Sequence, residues 1–235
     1  WKRVGDENFD RFLDEVRSFQ PPEGLTVFAG AETELLSDGN INMPPYQAER
    51  LDAVLLSAHW LPPGRAPAPH PDVLPGRVDA VNPQAAAEWR QQVAEAGPDI
   101  FLQDLVQSYV SAVERHPCIR VLAHMGDGLF PLREFEVPVD RLPQARIVEI
   151  MEPLMRTAAR EQVLWEMNPN PPKQEAVVKR ADELGVRFCA TADAHFIETE
   201  GFALMHEHED ARRLVESLGL TRGRHQPRHS EGYDI

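Results

Sequence analysis

Val186-Arg-Phe-Cys-Ala-Thr-Ala-Asp-Ala-His195 is the part of the sequence from which the architecture can be worked out. Its apolar half is typical of a β-strand buried in a parallel sheet, and it ends abruptly in an acid and a histidine. Residues just past the carboxyl ends of parallel barrel strands line the functional face. Asp193 and His195 are two positions apart, so an extended chain would point both side chains the same way. Alone, the pair is equally compatible with an exposed turn.

Four further apolar runs lead into polar side chains in the same manner. They are the predicted strands 25–30, 51–57, 118–123 and 163–168. The side chains at or just beyond their ends are Glu32, His59, His124, Glu166 and Asn168. Helical patterns occupy residues 7–19, 84–115 (interrupted near residue 97), 142–161, 173–184 and 202–218. This alternation predicts an α/β fold with a parallel sheet or barrel, whose strand ends would gather histidines and carboxylates at one edge as a metal centre.

Composition limits the classes of function. The chain has 235 residues, 42% of them hydrophobic, which predicts one globular domain over residues 1–220 and a polar tail over 221–235. A net charge of −14 argues against nucleic acid as a partner. Neither a membrane-spanning run nor a signal peptide is found, and the two cysteines form no thiolate zinc motif. We therefore predict a cytoplasmic location and no membrane partner.

A loop rich in proline and glycine, residues 62–83, follows His59 and has the length typical of lids and binding loops. Arg65 and Arg77 lie within it, and Arg133 follows the His124 segment. All three are candidate contacts for an anionic substrate, and Glu166 and Asn168 are further candidates for binding the substrate. By contrast, His206 and His208 diverge on a helix and are interpreted as part of a solvated face.

Several segments, in this order, carry a resemblance to a known family. They are Gly30-Ala-Glu32, Leu51-Asp-Ala-Val-Leu-Leu-Ser-Ala-His59, Val121-Leu-Ala-His124, Trp165-Glu-Met-Asn168 and Gly185-Val-Arg-Phe-Cys-Ala-Thr-Ala-Asp-Ala-His195. Over residues 7–220 the chain resembles the PHP superfamily (polymerase and histidinol phosphatase domain). The histidinol-phosphatase branch, where Ser-x-His is followed by an aromatic residue such as Trp60, is the most similar.

The resemblance implies a distorted (β/α)7 TIM-like barrel with two or three divalent metal ions, often Zn, Mn or Fe. It implies that Glu32 bridges two metals and that His59 and His124 complete one of those sites. Asp193 would belong to the partner site and His195 to a third. Asp193 and His195 are also the predicted catalytic residues, the latter able to meet charge on a leaving alkoxide when protonated.

The chain departs from the family at its amino-terminal side. The family's His-x-His motif after the first strand, and a second histidine after the next, are absent and would lie ahead of Trp1. The sequence therefore predicts a barrel lacking its first one or two βα units, on the order of 50–60 residues. Open sheet edges pair or aggregate, so we expect residues 1–235 alone to be incomplete as a folding unit.

The resulting functional hypothesis is a histidinol-phosphatase-like, metal-dependent phosphomonoesterase acting on a small phosphorylated metabolite. Two alternatives stay open: a non-catalytic PHP-like binding or scaffold domain with a degenerate metal site, and a metal-dependent amidohydrolase-type enzyme, because the same metal chemistry serves carbonyl substrates. The sequence indicates neither the oligomeric state nor the substrate.

Overall fold

The computed structural model of the chain describes residues 5–24, 26–125, 129–169, 172, 174–191 and 208–223. The strands are β1 Gly30–Glu34, β2 Ala53–Ser57, β3 Ile119–Leu122, β4 Leu164–Met167 and β5 Phe188–Ala190. The α-helices are α1 Asp6–Ser18, α2 Pro45–Ala48, α3 Pro83–Ala96, α4 Pro98–Arg115, α5 Phe130–Glu134, α6 Gln144–Glu161 and α7 Glu175–Glu183. An eighth helical stretch, α8, covers residues 208–217.

The five strands form one sheet in the order β1-β2-β3-β4-β5, and every pair of neighbours is parallel. Each crossover between neighbouring strands contains at least one helix. The predicted α/β fold with a parallel sheet is therefore confirmed. Because all strands run the same way, their carboxyl ends lie along one edge of the sheet.

The two faces of the sheet differ sharply. Alternate residues on one face have 0% exposure and share one core with the buried faces of α4 and α6; among them are Val54, Leu56, Leu122 and Trp165. The register pairs Glu32 with Leu55 and Glu34 with Ser57, so these residues lie on the opposite face. Glu166 pairs with Cys189 on that same face. The polar side chains thus reach the strand ends without entering the main core.

Local sequence signals set the helix boundaries in the α3–α4 pair. The Asn82 side chain accepts hydrogen bonds from the backbone N–H groups of Gln84 and Ala85, which caps α3. Gly97 ends α3 with a φ of 77°, a left-handed conformation that glycine adopts readily, and Pro98 opens α4. The predicted break near residue 97 is confirmed.

Two boundaries differ from the sequence prediction. The first strand was expected over residues 25–30, but β1 begins at Gly30 and contains Glu32 and Glu34. The ladder with β2 starts at the Gly30–Ala53 pair, and Ala29, the residue before β1, is held by Asp52, whose carboxylate accepts the Ala29 N–H at 2.8 Å. At the other end, residue 222 of the predicted tail bridges in parallel to Phe188 of β5.

The loop over residues 62–83 is anchored to the body of the protein. Val73 and Val78 are 0% and 3% exposed and belong to the main core. Asp104 of α4 accepts the Ala66 N–H at 2.6 Å, and a Cβ at Gly64 would clash with the same carboxylate.

Among the described helices, none combines the length and apolar character needed to cross a membrane.

Candidate metal centre

Side chains from three neighbouring strands converge at the carboxyl edge of the sheet. Glu32 lies in β1, while His59 and His124 each follow the end of their strand by two residues. One ligand atom from each lies within 4.8 Å of those of the other two. Oε1 of Glu32 is 3.4 Å from Nε2 of His124 and 3.9 Å from Nε2 of His59. Ligand atoms bound about 2.0–2.2 Å from a tetrahedral zinc ion stand roughly 3.4 Å apart. The contact with His124 matches this separation and the contact with His59 is longer, so the three residues could hold such an ion after a small adjustment of the side chains.

His59 is held from behind by Glu34, a buried carboxylate of β1. Oε1 of Glu34 accepts the backbone N–H groups of His59 at 2.7 Å and of Trp60 at 3.1 Å. Oε2 of Glu34 lies 2.8 Å from Nδ1 of His59. This contact turns the opposite ring nitrogen, Nε2, towards Glu32.

His124 is held by Glu166, a buried carboxylate of β4. The φ of His124 is 60°, a left-handed conformation that costs a non-glycine residue roughly 1 kcal/mol or more. Oε2 of Glu166 accepts the His124 N–H at 2.6 Å, and Oε1 accepts the Thr191 hydroxyl at 2.8 Å. These contacts tie the ends of β3, β4 and β5 together beneath the cluster.

The electrostatics of the cluster favour a cation. The pKa of Glu32 is lowered to about 2, and the largest cause is the hydrogen bond with His124. A hydrogen bond with Ser57 and the charges of the two imidazoles lower the pKa further, whereas burial raises it. Glu32 is therefore ionised at neutral pH. Together with Glu34 and Glu166, it places three carboxylates around two imidazoles.

Two weaker acids lie close to these carboxylates. Burial raises the pKa of the Tyr109 hydroxyl, on α4, well above its usual range, and the negative charges of Glu34 and Glu32 add to the effect. Burial, followed by the charge of Glu166, raises the pKa of Cys189 to about 12. Cys189 thus stays a thiol at neutral pH, which agrees with a histidine and carboxylate site.

Aromatic side chains border the cluster. The ring centre of Phe130, on α5, is 6.3 Å from that of His59, with the planes at 82°. Trp60 packs against Phe135 at 5.7 Å between ring centres and keeps 39% of its surface exposed. These rings thus give the cluster an apolar border.

The three candidate arginines lie in different places. Arg65 bonds to Gln103 and Asp104 on α4. Arg77 is exposed in the loop, where its backbone N–H donates a hydrogen bond to the Leu74 carbonyl. Arg133 lies on α5, the helix that carries Phe130, and pairs with Asp140 through two contacts of 2.9 Å. Arg133 therefore belongs to an element that borders the cluster, whereas Arg65 lies against α4.

The remaining predicted residues divide between described and undescribed parts of the chain. Glu166 is 3% exposed and bonds to the backbone of a predicted ligand. Asn168 is half-buried just past β4. Asp193 and His195 lie outside the described residues, as do His206 and residues 224–235 of the predicted tail. Their roles stay predictions.

Sequence reasoning missed the part that Glu34 plays. The signal was present, because Glu32 and Glu34 are two apart and so share a strand face. What the sequence lacked was the register that pairs Glu34 with Ser57 and brings its carboxylate to His59.

No protein-family model matches the chain, and a search of curated proteins found no match. The resemblance to the PHP superfamily therefore stays a prediction carried by the motifs.

Proposed function

We propose that the chain is a metal-dependent hydrolase that cleaves phosphoric monoesters of small metabolites. The observation that carries the proposal is the convergence of Nε2 of His59, Nε2 of His124 and Oε1 of Glu32. Two imidazoles and one carboxylate form a donor set used by hydrolytic zinc sites, which keep one position open for water or substrate. Glu32, His59 and His124 would hold a divalent cation there, and its Lewis acidity would polarise a phosphoryl oxygen and lower the pKa of coordinated water.

The residues of the chain supply the rest of the site. Glu32 offers a carboxylate that stays ionised across the neutral range, because its pKa is lowered to about 2. The ionised carboxylate of Glu32 repels a phosphate group, so an anionic substrate requires the charge of a cation to bind. Of the three candidate arginines, we favour Arg133 as a contact for that substrate, because it lies on α5, the helix that borders His59.

The choice of phosphoric esters over carbonyl substrates is supported by the resemblance to the PHP superfamily. Because of the same resemblance, we also propose that the fold is a distorted seven-stranded barrel. In it, Asp193 and His195 would supply ligands for a second and a third cation. Zn, Mn and Fe all suit a site of histidine and carboxylate ligands. The cytoplasmic location is part of the same proposal.

The test is a screen of phosphorylated metabolites with chelator-treated protein, with and without added Mn²⁺ or Zn²⁺. Phosphate release should require the cation and should be lost in the His59→Ala, His124→Ala double variant. His70→Ala is the matched control, since His70 is an exposed histidine of the loop that bonds to the Asp72 N–H. Hydrolysis that needs no cation would contradict the proposal, and cation binding without hydrolysis of any phosphoric ester would favour the scaffold alternative.

A further inference from the structure

Each histidine of the metal centre is backed by a buried carboxylate from a neighbouring strand. Glu34 is 7% exposed and Glu166 is 3% exposed. Within the described ranges, the ion-pair contacts of Glu34 and Glu166 are with His59 and His124, respectively, and neither carboxylate contacts an arginine or a lysine. Burying a carboxylate is costly unless it is paired or fully hydrogen-bonded. Packing alone therefore does not explain why carboxylates are buried at these two positions.

Glu34 determines which ring nitrogen of His59 carries the proton. A carboxylate only accepts hydrogen bonds, so the 2.8 Å contact between Oε2 and Nδ1 requires Nδ1 to be the donor. The Ser57 hydroxyl, which lies 3.3 Å from the Thr33 carbonyl, is also 3.4 Å from Nδ1, a longer contact than that of Nδ1 with Glu34. In the neutral ring, Nε2 then carries a lone pair on the side of Glu32.

Glu166 acts on the backbone of His124. Its Oε2 is 2.6 Å from the His124 nitrogen but 3.6 Å from Nδ1, so the hydrogen bond is made to the main chain. That bond stabilises the left-handed conformation, and Nε2 of His124 comes within 3.4 Å of Glu32.

We propose that Glu34 and Glu166 are positioning residues of the metal centre. Glu34 fixes His59 in the tautomer that leaves Nε2 free to bind a cation, and Glu166 fixes the backbone that aims His124. The inference rests on the proposed metal centre but adds residues that touch neither the cation nor the substrate. Partners of this kind orient a ligating histidine and raise its basicity.

The test substitutes Glu34→Gln in the full chain. The glutamine carbonyl can still accept the two backbone N–H groups, but its NH₂ group then faces Nδ1 and donates to it. The proton of the neutral ring moves to Nε2, where it blocks the cation. Histidine ¹⁵N spectra of the metal-free protein should show Nδ1–H for His59 in the parent and Nε2–H in the variant, and Zn²⁺ should bind about 10–100-fold more weakly.

Asp52→Asn is the matched control. Asp52 is also buried, at 2% exposure, and also accepts a backbone N–H, but it lies at the opposite end of β2. The tautomer of His59 and the Zn²⁺ affinity should be unchanged in this variant. Glu166→Ala, which removes the acceptor of the His124 N–H, should weaken Zn²⁺ binding while leaving the His59 tautomer as in the parent.

An Nε2–H ring at His59 in the parent protein would overturn the inference, and this measurement stands even if Glu34→Gln fails to fold. Unchanged tautomer and Zn²⁺ affinity in a folded Glu34→Gln protein would overturn it as well. The outcome is separate from that for the proposed function. Zn²⁺ binding that depends on Glu34, without hydrolysis of any phosphoric ester, would support the inference and refute the phosphomonoesterase.

Discussion

At the scale of single residues, the state of Glu32 follows from its neighbours. The hydrogen bond with His124 outweighs the effect of burial, and the hydroxyl of Ser57 and the imidazoles lower the pKa further. In the metal-free protein the carboxylate is thus more acidic when folded than when unfolded. Ionised Glu32 therefore stabilises the folded state.

This stabilisation should depend on pH. A carboxylate whose pKa is lowered by folding contributes fully above its unfolded pKa and loses that contribution as the pH falls through its folded pKa. For Glu32 the window runs from 4.5 down to about 2. Urea unfolding of the metal-free parent and of Glu32→Gln across this range should show the difference in free energy of unfolding shrinking as the pH falls. Parallel pH profiles for the two proteins would contradict this account of Glu32.

The sequence alone identifies candidate ligands when they lie at the end of a predicted strand, because that position can be read from the chain. Glu32, His59 and His124 lie at or near the ends of apolar runs, and the structure brings all three together. Glu34 and Glu166 act across strands, through contacts 25 and 42 positions apart. Such contacts depend on strand order and register, which a single sequence does not contain.

At the scale of elements, α6 contains a proline that disfavours a helix. Pro153 lies on an exposed face in the interior of this helix of 18 residues. A proline there has no N–H to donate to the carbonyl four residues earlier and crowds the preceding turn. The helix nevertheless buries its other face, including Ile147, Met151 and Leu154. Tertiary packing thus maintains a helix that its local sequence weakens.

Pro153→Ala should therefore stabilise the protein, by about 1–3 kcal/mol in the free energy of unfolding measured in urea, because it restores a hydrogen bond and removes the clash. Pro83→Ala is the control, since Pro83 occupies the first turn of α3, where the missing N–H has no helical partner. That variant should be close to neutral. Equal or lower stability for Pro153→Ala would mean that the packing of α6 requires the proline.

The types of the longer elements were predictable from periodicity, but the short helices α2 and α5 and the start of β1 were not. The apolar run before Gly30 has the composition of a strand, whereas the paired segment contains two glutamates. Those glutamates are tolerated because both reach the strand-end cluster, where histidines and backbone N–H groups contact their carboxylates. These contacts thus override the local strand signal at this position.

At the scale of the whole molecule, the parallel order of the strands is what creates the site. Neighbouring strands β1, β2 and β3 each place one candidate ligand at the same edge, and Glu166 of β4 bonds to the backbone of the third, His124. The sequence could predict this parallel arrangement from the alternation of strands and helices. It could not predict that the loop over residues 62–83 is anchored in the core, because its anchors, Val73 and Val78, form no helical or strand periodicity in the sequence.

The central claim is that the site formed by Glu32, His59 and His124 holds a divalent cation. The most direct measurement is anomalous X-ray diffraction at the zinc edge from crystals of the chain grown with Zn²⁺. The account predicts a peak about 2.0–2.2 Å from Nε2 of each histidine and from an oxygen of Glu32, and no such peak in crystals of the His59→Ala, His124→Ala variant. A parent structure in which these three side chains converge while the anomalous signal is absent, or lies only elsewhere, would contradict it.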